Sequence, residues 1–177
     1  MKDRLLKVFI LEDQPMEAEL TKRAVLQFAP NAMFTMAATE EEFLQKIQWG
    51  EHDVLLADYN LPGYNGLQAL LHVREHFPYL PFIFVTGTLN SEQKAAEAIL
   101  QGANGYVLKD HLEALERSVV NALAKADERR SLNQEKIRRQ QYRKLMLQKA
   151  TTILQATADF PEKTMLEQTL REVMSEI

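Results

Sequence analysis

Val54-Leu55-Leu56-Ala57-Asp58, followed by Tyr59-Asn60 and the turn Leu61-Pro62-Gly63, is the stretch around which the rest of this chain reads. Four apolar residues run into an acid and then a sharp bend. A run this short and this apolar reads as a strand buried on both faces, as in a parallel sheet. Three other runs end in the same manner. Val8-Phe9-Ile10-Leu11 meets Glu12-Asp13, Phe82-Ile83-Phe84-Val85 meets Thr86, and Tyr106-Val107-Leu108 meets Lys109. In an open α/β sheet, ligands bind outside the carboxyl ends of the strands. Glu12, Asp13, Asp58, Thr86 and Lys109 are therefore expected on one rim. Three carboxylates, a hydroxyl and an ammonium suit a divalent cation and a phosphoryl group.

Working outward, residues 5–123 alternate strand-like and helix-like segments. Strands are expected at about 7–11, 32–37, 53–57, 82–85 and 105–108, with helices near 15–28, 40–49, 65–76, 91–101 and from 112 onward. Pro15 suits a first helical turn, and Thr39-Glu40-Glu41-Glu42 reads as a capping box with acids at a helix N-terminus. Gly50, Gly102 and Asn104 read as left-handed stops after helices. In Leu61-Pro62-Gly63, proline presets φ and glycine accepts a positive one. Five βα units in sequence imply an α/β fold, a doubly wound five-stranded parallel sheet with right-handed crossovers.

The pattern changes near Leu112. Between Gly105 and Pro161 there is no glycine or proline, and strong helix formers dominate. One helix over roughly 112–155 would be about 65 Å long. Its first part carries a one-sided stripe of Leu112, Leu115, Val119 and Leu123 that can pack on the sheet. Beyond Ala126, a heptad register through Arg130, Asn133, Ile137, Gln140, Lys144, Leu147, Thr151 and Leu154 is a thin coiled-coil seam. A helix of this length has to dimerise, fold back or connect to something more, and a homodimer through it is expected. Asp159-Phe160-Pro161-Glu162 reads as a break, with Asp159 as cap and Pro161 in a new first turn. Leu166, Leu170, Val173 and Ile177 then give a second amphipathic helix that ends without a stop signal.

Of the 177 residues, 46% are hydrophobic and none is cysteine, which excludes disulfides, Fe–S clusters and thiolate zinc sites. Mean hydropathy is -0.30, no run approaches the roughly 20 apolar residues of a membrane span, and the N-terminus shows no signal-peptide pattern. A cytoplasmic protein is expected. The formal net charge of -4 is divided unevenly. Residues 125–150 hold nine Lys/Arg against three acids, +6 locally, leaving -10 on the remainder. Clustered basic residues can bind nucleic acid. Here they are interleaved with Asp127, Glu128 and Glu135, with Tyr142 as the one aromatic, so a solvated linker helix is the reading, with neither nucleic acid nor membrane as partner.

Each rim residue taken singly has a structural explanation. Asp58 can be a turn residue, Glu12-Asp13 can complement a helix dipole, Thr86 can cap a helix starting near Ser91, and Lys109 can be a strand-end charge. Jointly they make a phosphoryl site. Asp58 is the candidate nucleophile, since a carboxylate can form an acyl phosphate. Glu12 and Asp13, with Asp58, would hold Mg²⁺, a hard cation that takes few carboxylates plus phosphate oxygens. Lys109 adds positive charge and Thr86 a hydroxyl, while Gly63 and Gly87 leave room for a donor.

Glu12-Asp13, Asp58, Thr86 and Lys109, with Leu61-Pro62-Gly63 and Gly102-Ala103-Asn104-Gly105-Tyr106, resemble the receiver domain of two-component response regulators. The resemblance covers residues 5 to about 123. It implies a flavodoxin-like sheet of order 2-1-3-4-5 and phosphorylation of Asp58 by a histidine kinase, a phosphotransfer protein or a small phosphodonor. It also implies Mg²⁺ held by Asp13, Asp58 and the backbone carbonyl of Asn60, with Glu12 in the same pocket. Thr86 and Tyr106 would form the switch pair, and Lys109 would pair with the aspartyl phosphate. One departure stands out: the family usually follows its lysine with a cis-proline, whereas Asp110 follows Lys109. A non-proline cis bond costs about 2.5–4 kcal/mol, so trans is the cheaper form here. The Lys-Asp version resembles receivers that open multi-domain sensor proteins.

The expected organisation is a receiver over 1–124, a helical linker over 125–158 and an amphipathic helix over 159–177. This last segment resembles the opening of a GAF-type domain. His52, His72, His76 and His111 show no metal-ligand spacing. No histidine follows His111, so these residues contain no phospho-accepting histidine and no kinase dimerisation helix of the usual type. The expected function is a phosphorylation-dependent signalling switch, itself not an enzyme, that relays its state through the C-terminal helix. Two other classes remain open: a phosphate-independent interaction scaffold and an Asp-nucleophile phosphatase. The phosphatase reading asks for an acid two residues after the nucleophile, where this chain has Asn60.

Overall fold

The computed structural model describes residues 5–87 and 91–175. Ile177, the last residue of the expected second amphipathic helix, lies outside them. The chain divides into two compact units, Met1–Glu128 and Arg129–Ile177.

In the first unit, β1 (Lys7–Leu11), β2 (Met33–Ala37), β3 (Val54–Ala57), β4 (Phe82–Thr86) and β5 (Gly105–Leu108) form one parallel sheet in the order 2-1-3-4-5. Between them run α1 (Pro15–Phe28), α2 (Glu40–Trp49), α3 (Gly66–His76) and α4 (Ser91–Leu100), and α5 (Leu115–Ala156) follows. Strand periodicity sorts the apolar residues onto two faces. Val8, Ile10, Leu56, Ile83 and Val85 share a core with Val25 of α1 and with Leu115 and Val119 of α5. Phe9, Leu11, Leu55, Phe82 and Phe84 face Phe43 of α2 and Leu70 and Val73 of α3. Helices on both faces bury β3 and β4 completely, which is why their sequences do not alternate. Edge strand β2 is less covered and leaves Met33 and Met36 exposed.

The local signals act through specific bonds. Pro15 opens α1, and the Thr39 side chain accepts from the Glu42 amide at 3.2 Å. Glu42 closes its half of the cap on the Ala38 amide, one residue earlier than a standard box. A reciprocal box starts α3, where Asn65 and Gln68 exchange side chain-to-backbone bonds. Gly102 has the expected positive φ of 100°, as does Gly63 at 72° in its turn. Gly50 and Asn104 do not adopt left-handed conformations. Gly50 is extended at φ -130°, and its lack of a side chain serves the His52 ring, which a Cβ would approach to 2.7 Å. Asn104 acts through its side chain, whose Oδ1 accepts from the Phe82 amide and from Arg74 Nη2.

Lys109 leads into a 3₁₀ turn over Lys109–Ala114, interrupted by non-helical torsions at His111. The long helix therefore starts at Leu115 rather than 112. No cis peptide occurs among the described residues, so Lys109–Asp110 is trans. Leu115, Val119, Ala122, Leu123 and Ala126 are the buried stripe of α5.

In the second unit, α6 (Lys163–Ser175) begins two residues after Pro161, which stands in a preceding turn. Asp159 forms an ion pair with Lys163 at 3.5 Å, in place of the expected cap. The Lys163 ammonium also donates to the Thr157 carbonyl at 2.7 Å. Thr151 Oγ1 lies 3.7 Å from Met174 Sδ, so α6 returns along the end of α5. Leu147, Thr151 and Leu154 are half-buried, which occupies the lower end of the heptad register read from the sequence. Of the apolar residues of α5 left exposed, Leu132, Met146 and Ile153 share one seven-residue row with Arg139, whereas Ile137, Tyr142 and Leu145 lie off it.

Candidate functional site

Four of the five strand ends bring their polar residues to one rim. Asp58 stands one residue past β3, and its amide donates to the Leu11 carbonyl at 2.9 Å. The carboxylate is buried. Its Oδ1 accepts from the Tyr59 amide at 2.6 Å and the Asn60 amide at 3.4 Å, and its Oδ2 lies 3.0 Å from Lys109 Nζ. Two-residue strands at Asn60–Leu61 and Tyr64–Asn65 pair across the Pro62-Gly63 turn, so the chain doubles back under the acid. Gly66 permits that fold. A Cβ there would stand 2.3 Å from the Asp58 carbonyl oxygen and 2.7 Å from the Phe84 ring. Sequence reading missed Gly66, whose requirement arises from the backbone after β3 folding back on itself against the Phe84 ring of β4.

Glu12 is buried just past β1. Its amide donates to the Ala37 carbonyl at 3.0 Å, Oε1 accepts from the Gln14 amide at 3.2 Å, and Oε2 meets Lys109 Nζ at 2.6 Å. Glu17, in the first turn of α1, also pairs with Lys109. One ammonium thus answers three carboxylates. Carboxylate oxygens of Glu12, Glu17 and Asp58 lie within 4.8 Å of one another. Glu17 is the member that sequence reading omitted. Its signal was its place one helical turn after Asp13, at a helix N-terminus that already favours acids.

These contacts set the electrostatics. Burial pushes the Glu12 carboxyl above its ordinary range, against the pull of the Lys109 hydrogen bond and charge. Burial alone would lower the Lys109 ammonium, but its bonds to Glu12, Glu17 and Asp58 outweigh that and hold it above its ordinary value. Lys109 stays charged. Asp13, next to Glu12 in the chain, is not a member of the three-acid group and has a buried Oδ1 with no hydrogen-bond partner among the described residues. An acceptor in that position, beside a cluster of acids with excess negative charge, fits a hard divalent cation.

Thr86 ends β4, is fully buried and is in register with Leu108, the residue before Lys109. A Cβ on Gly87 would lie 3.8 Å from Lys109 Cδ, so the end of β4 flanks the lysine stem. Tyr106 lies deeper in β5, opposite Phe84 in register, with ring centroids 6.5 Å apart. It packs in the second core and takes no part in the Lys109 cluster. No helix of the described residues is long and apolar enough to cross a membrane.

Comparison with known proteins bears on the same segment. The family model of the response regulator receiver domain matches residues 8–120. The chain is 29% identical over 103 residues to the nitrate/nitrite response regulator protein NarL of Escherichia coli, covering 58% of this chain and 47% of that protein. It is 30% identical over 109 residues to the chemotaxis protein CheY of Pseudomonas aeruginosa, covering 59% of this chain and 84% of that protein. Among solved structures it is similar to a CheY-like receiver domain protein from Methanospirillum hungatei, with TM-score 0.62, 25% identity and coverage of 71% of this chain and 99% of that chain. The N-terminal domain of a response regulator/sensory box/GGDEF three-domain protein from Carboxydothermus hydrogenoformans gives TM-score 0.60 and 27% identity, covering 70% and 98%. The chain spans about half the length of the first of these relatives.

Proposed function

The chain belongs to the response regulator receiver domain family, and from that premise we propose that it is a phosphorylation-dependent switch that accepts a phosphoryl group on Asp58. The observation that carries the reading is the Lys109 ammonium held 3.0 Å from a buried Asp58 carboxylate at the mouth of the sheet. Receiver domains bind Mg²⁺ at an acidic pocket. Here Asp13, Asp58 and the Asn60 carbonyl, with Glu12 beside them, would hold it, and the buried, unpartnered Asp13 Oδ1 supports that assignment. Bound there, Mg²⁺ supplies positive charge against the equatorial oxygens of a transferring phosphoryl group.

The rest of the chemistry belongs to the protein. An Asp58 oxygen attacks phosphorus of a phosphohistidine or an acyl phosphate, and the bond from phosphorus to the donor's nitrogen or oxygen breaks as the acyl phosphate forms. Lys109 neutralises the group in place, and the Thr86 hydroxyl donates to one of its oxygens. Phosphoryl transfer needs positioning and charge more than proton transfer, which matches a site without a general base two residues after Asp58. Asn60 in that position argues for stored phosphate over turnover of phosphate esters. The partner in this reading is a histidine kinase or phosphotransfer protein.

Relay to the output runs through α5, whose buried Leu115, Val119, Ala122 and Leu123 share a core with β4 and β5. Exposed Leu132, Met146 and Ile153 offer a seam for a second copy of the helix, and residues 159–177 would open an output domain. The test is mass spectrometry after incubation with acetyl phosphate and Mg²⁺. One phosphoryl group is expected on the wild type and none on Asp58→Asn; equal uptake by the variant would sink the assignment.

A further inference from the structure

We infer that Glu17 is a positioning residue that competes with the phosphoryl group for Lys109 and so restrains phosphorylation of this chain. The inference rests on Asp58 being the phosphoacceptor. Lys109 is the group expected to neutralise the incoming phosphoryl, yet it is already bonded to Glu12, Glu17 and Asp58. These three partners are not equivalent. The Glu12 and Asp58 side chains are 4% and 8% exposed, whereas Glu17 is 32% exposed.

Glu12 is fixed by the Gln14 amide as well as by Lys109, and moving it would strand a buried carboxylate. Glu17 reaches the ammonium from the first helical turn of α1 and faces a groove lined also by Leu20, Thr21, Asp110 and Leu112. It is the partner that can turn into water at small desolvation cost and surrender Lys109. A phosphoryl group arriving on Asp58 adds negative charge within a few ångströms of Glu17, so the phosphorylated state repels Glu17 while it attracts Lys109. In the unphosphorylated protein Glu17 holds the lysine and places a further anionic charge at the door of an anionic donor.

The test uses the full chain, with Glu17→Gln, a Glu19→Gln control and wild type at saturating Mg²⁺. Glu19 has the same charge on the same helix, but it pairs with Lys22 and Arg23. With acetyl phosphate as donor, Glu17→Gln should take up phosphate faster by about three- to tenfold, the factor for one competing ion pair at a partly buried site, while Glu19→Gln matches wild type. In the metal-free proteins, the ¹⁵N resonance of the Lys109 ammonium should shift in Glu17→Gln and stay in place in Glu19→Gln. Uptake by Glu17→Gln at or below the wild-type rate overturns the inference, as does an unmoved Lys109 resonance or an equal acceleration in Glu19→Gln. Absence of uptake in all three proteins would instead overturn the assignment of Asp58.

Discussion

Lys109 is the residue on which the unphosphorylated site balances, because one ammonium offsets three clustered carboxylates. Lys109→Gln should cost about 3–5 kcal/mol in urea unfolding, the scale for removing one partner of a buried ion pair. Mg²⁺ should restore much of that loss by binding the native state alone; a variant as stable as wild type without the cation would contradict the balance. Asp13 makes the complementary case. Its unpartnered buried oxygen predicts that Asp13→Asn weakens Mg²⁺ binding by tenfold or more, roughly 1.4 kcal/mol, in a titration that leaves the fold intact. His52 tests burial elsewhere. Its ring packs edge-on against Phe9 at 5.0 Å, and burial holds it below its ordinary 6.5. The native state then binds fewer protons than the unfolded state, so this stabilisation is present above pH 6.5 and is lost as the pH falls through the lowered value. His52→Gln should flatten the decline of melting temperature across that acidic range, and an unchanged slope would count against the neutral ring.

At the scale of elements, short connections hold the strand ends at one level. Arg74 on α3 donates to the Gly102 and Leu80 carbonyls and to Asn104 Oδ1, at 2.8–2.9 Å. It ties the loops before β4 and β5 together. Arg74→Met should cost about 2 kcal/mol in denaturant unfolding, since it removes three part-buried bonds and leaves the Gly102 and Leu80 carbonyls short of a donor, and near-neutral behaviour would refute that role. The strands and helices were legible because burial of both sheet faces removes alternation from β3 and β4, and because proline, Thr39 and the helix formers leave local marks. Gly50 and Asn104 misled for a physical reason. Both stand after helices, where left-handed stops are common, but one makes space for a ring and the other supplies a side-chain acceptor. Neither need arises within its own turn.

For the whole molecule, the candidate site lies entirely within Met1–Glu128. A chain ending at Glu128 should therefore fold cooperatively and retain both Mg²⁺ binding and phosphate uptake. If α5 also dimerises, sedimentation should give a dimer for the full chain and a monomer for the shorter one; dimers of equal affinity for both would move the interface into the first unit. The sequence by itself determined the parallel sheet and the standing of Glu12, Asp13, Asp58, Thr86 and Lys109 at or just past its strand ends, because apolar runs and their terminal residues are local properties. Only the tertiary structure decided that Glu17 joins Lys109, that Gly66 must lack a side chain beside the Asp58 carbonyl, and that α6 returns along the end of α5 at Thr151. Each of these depends on how closely separate segments approach one another, a distance that no local pattern encodes.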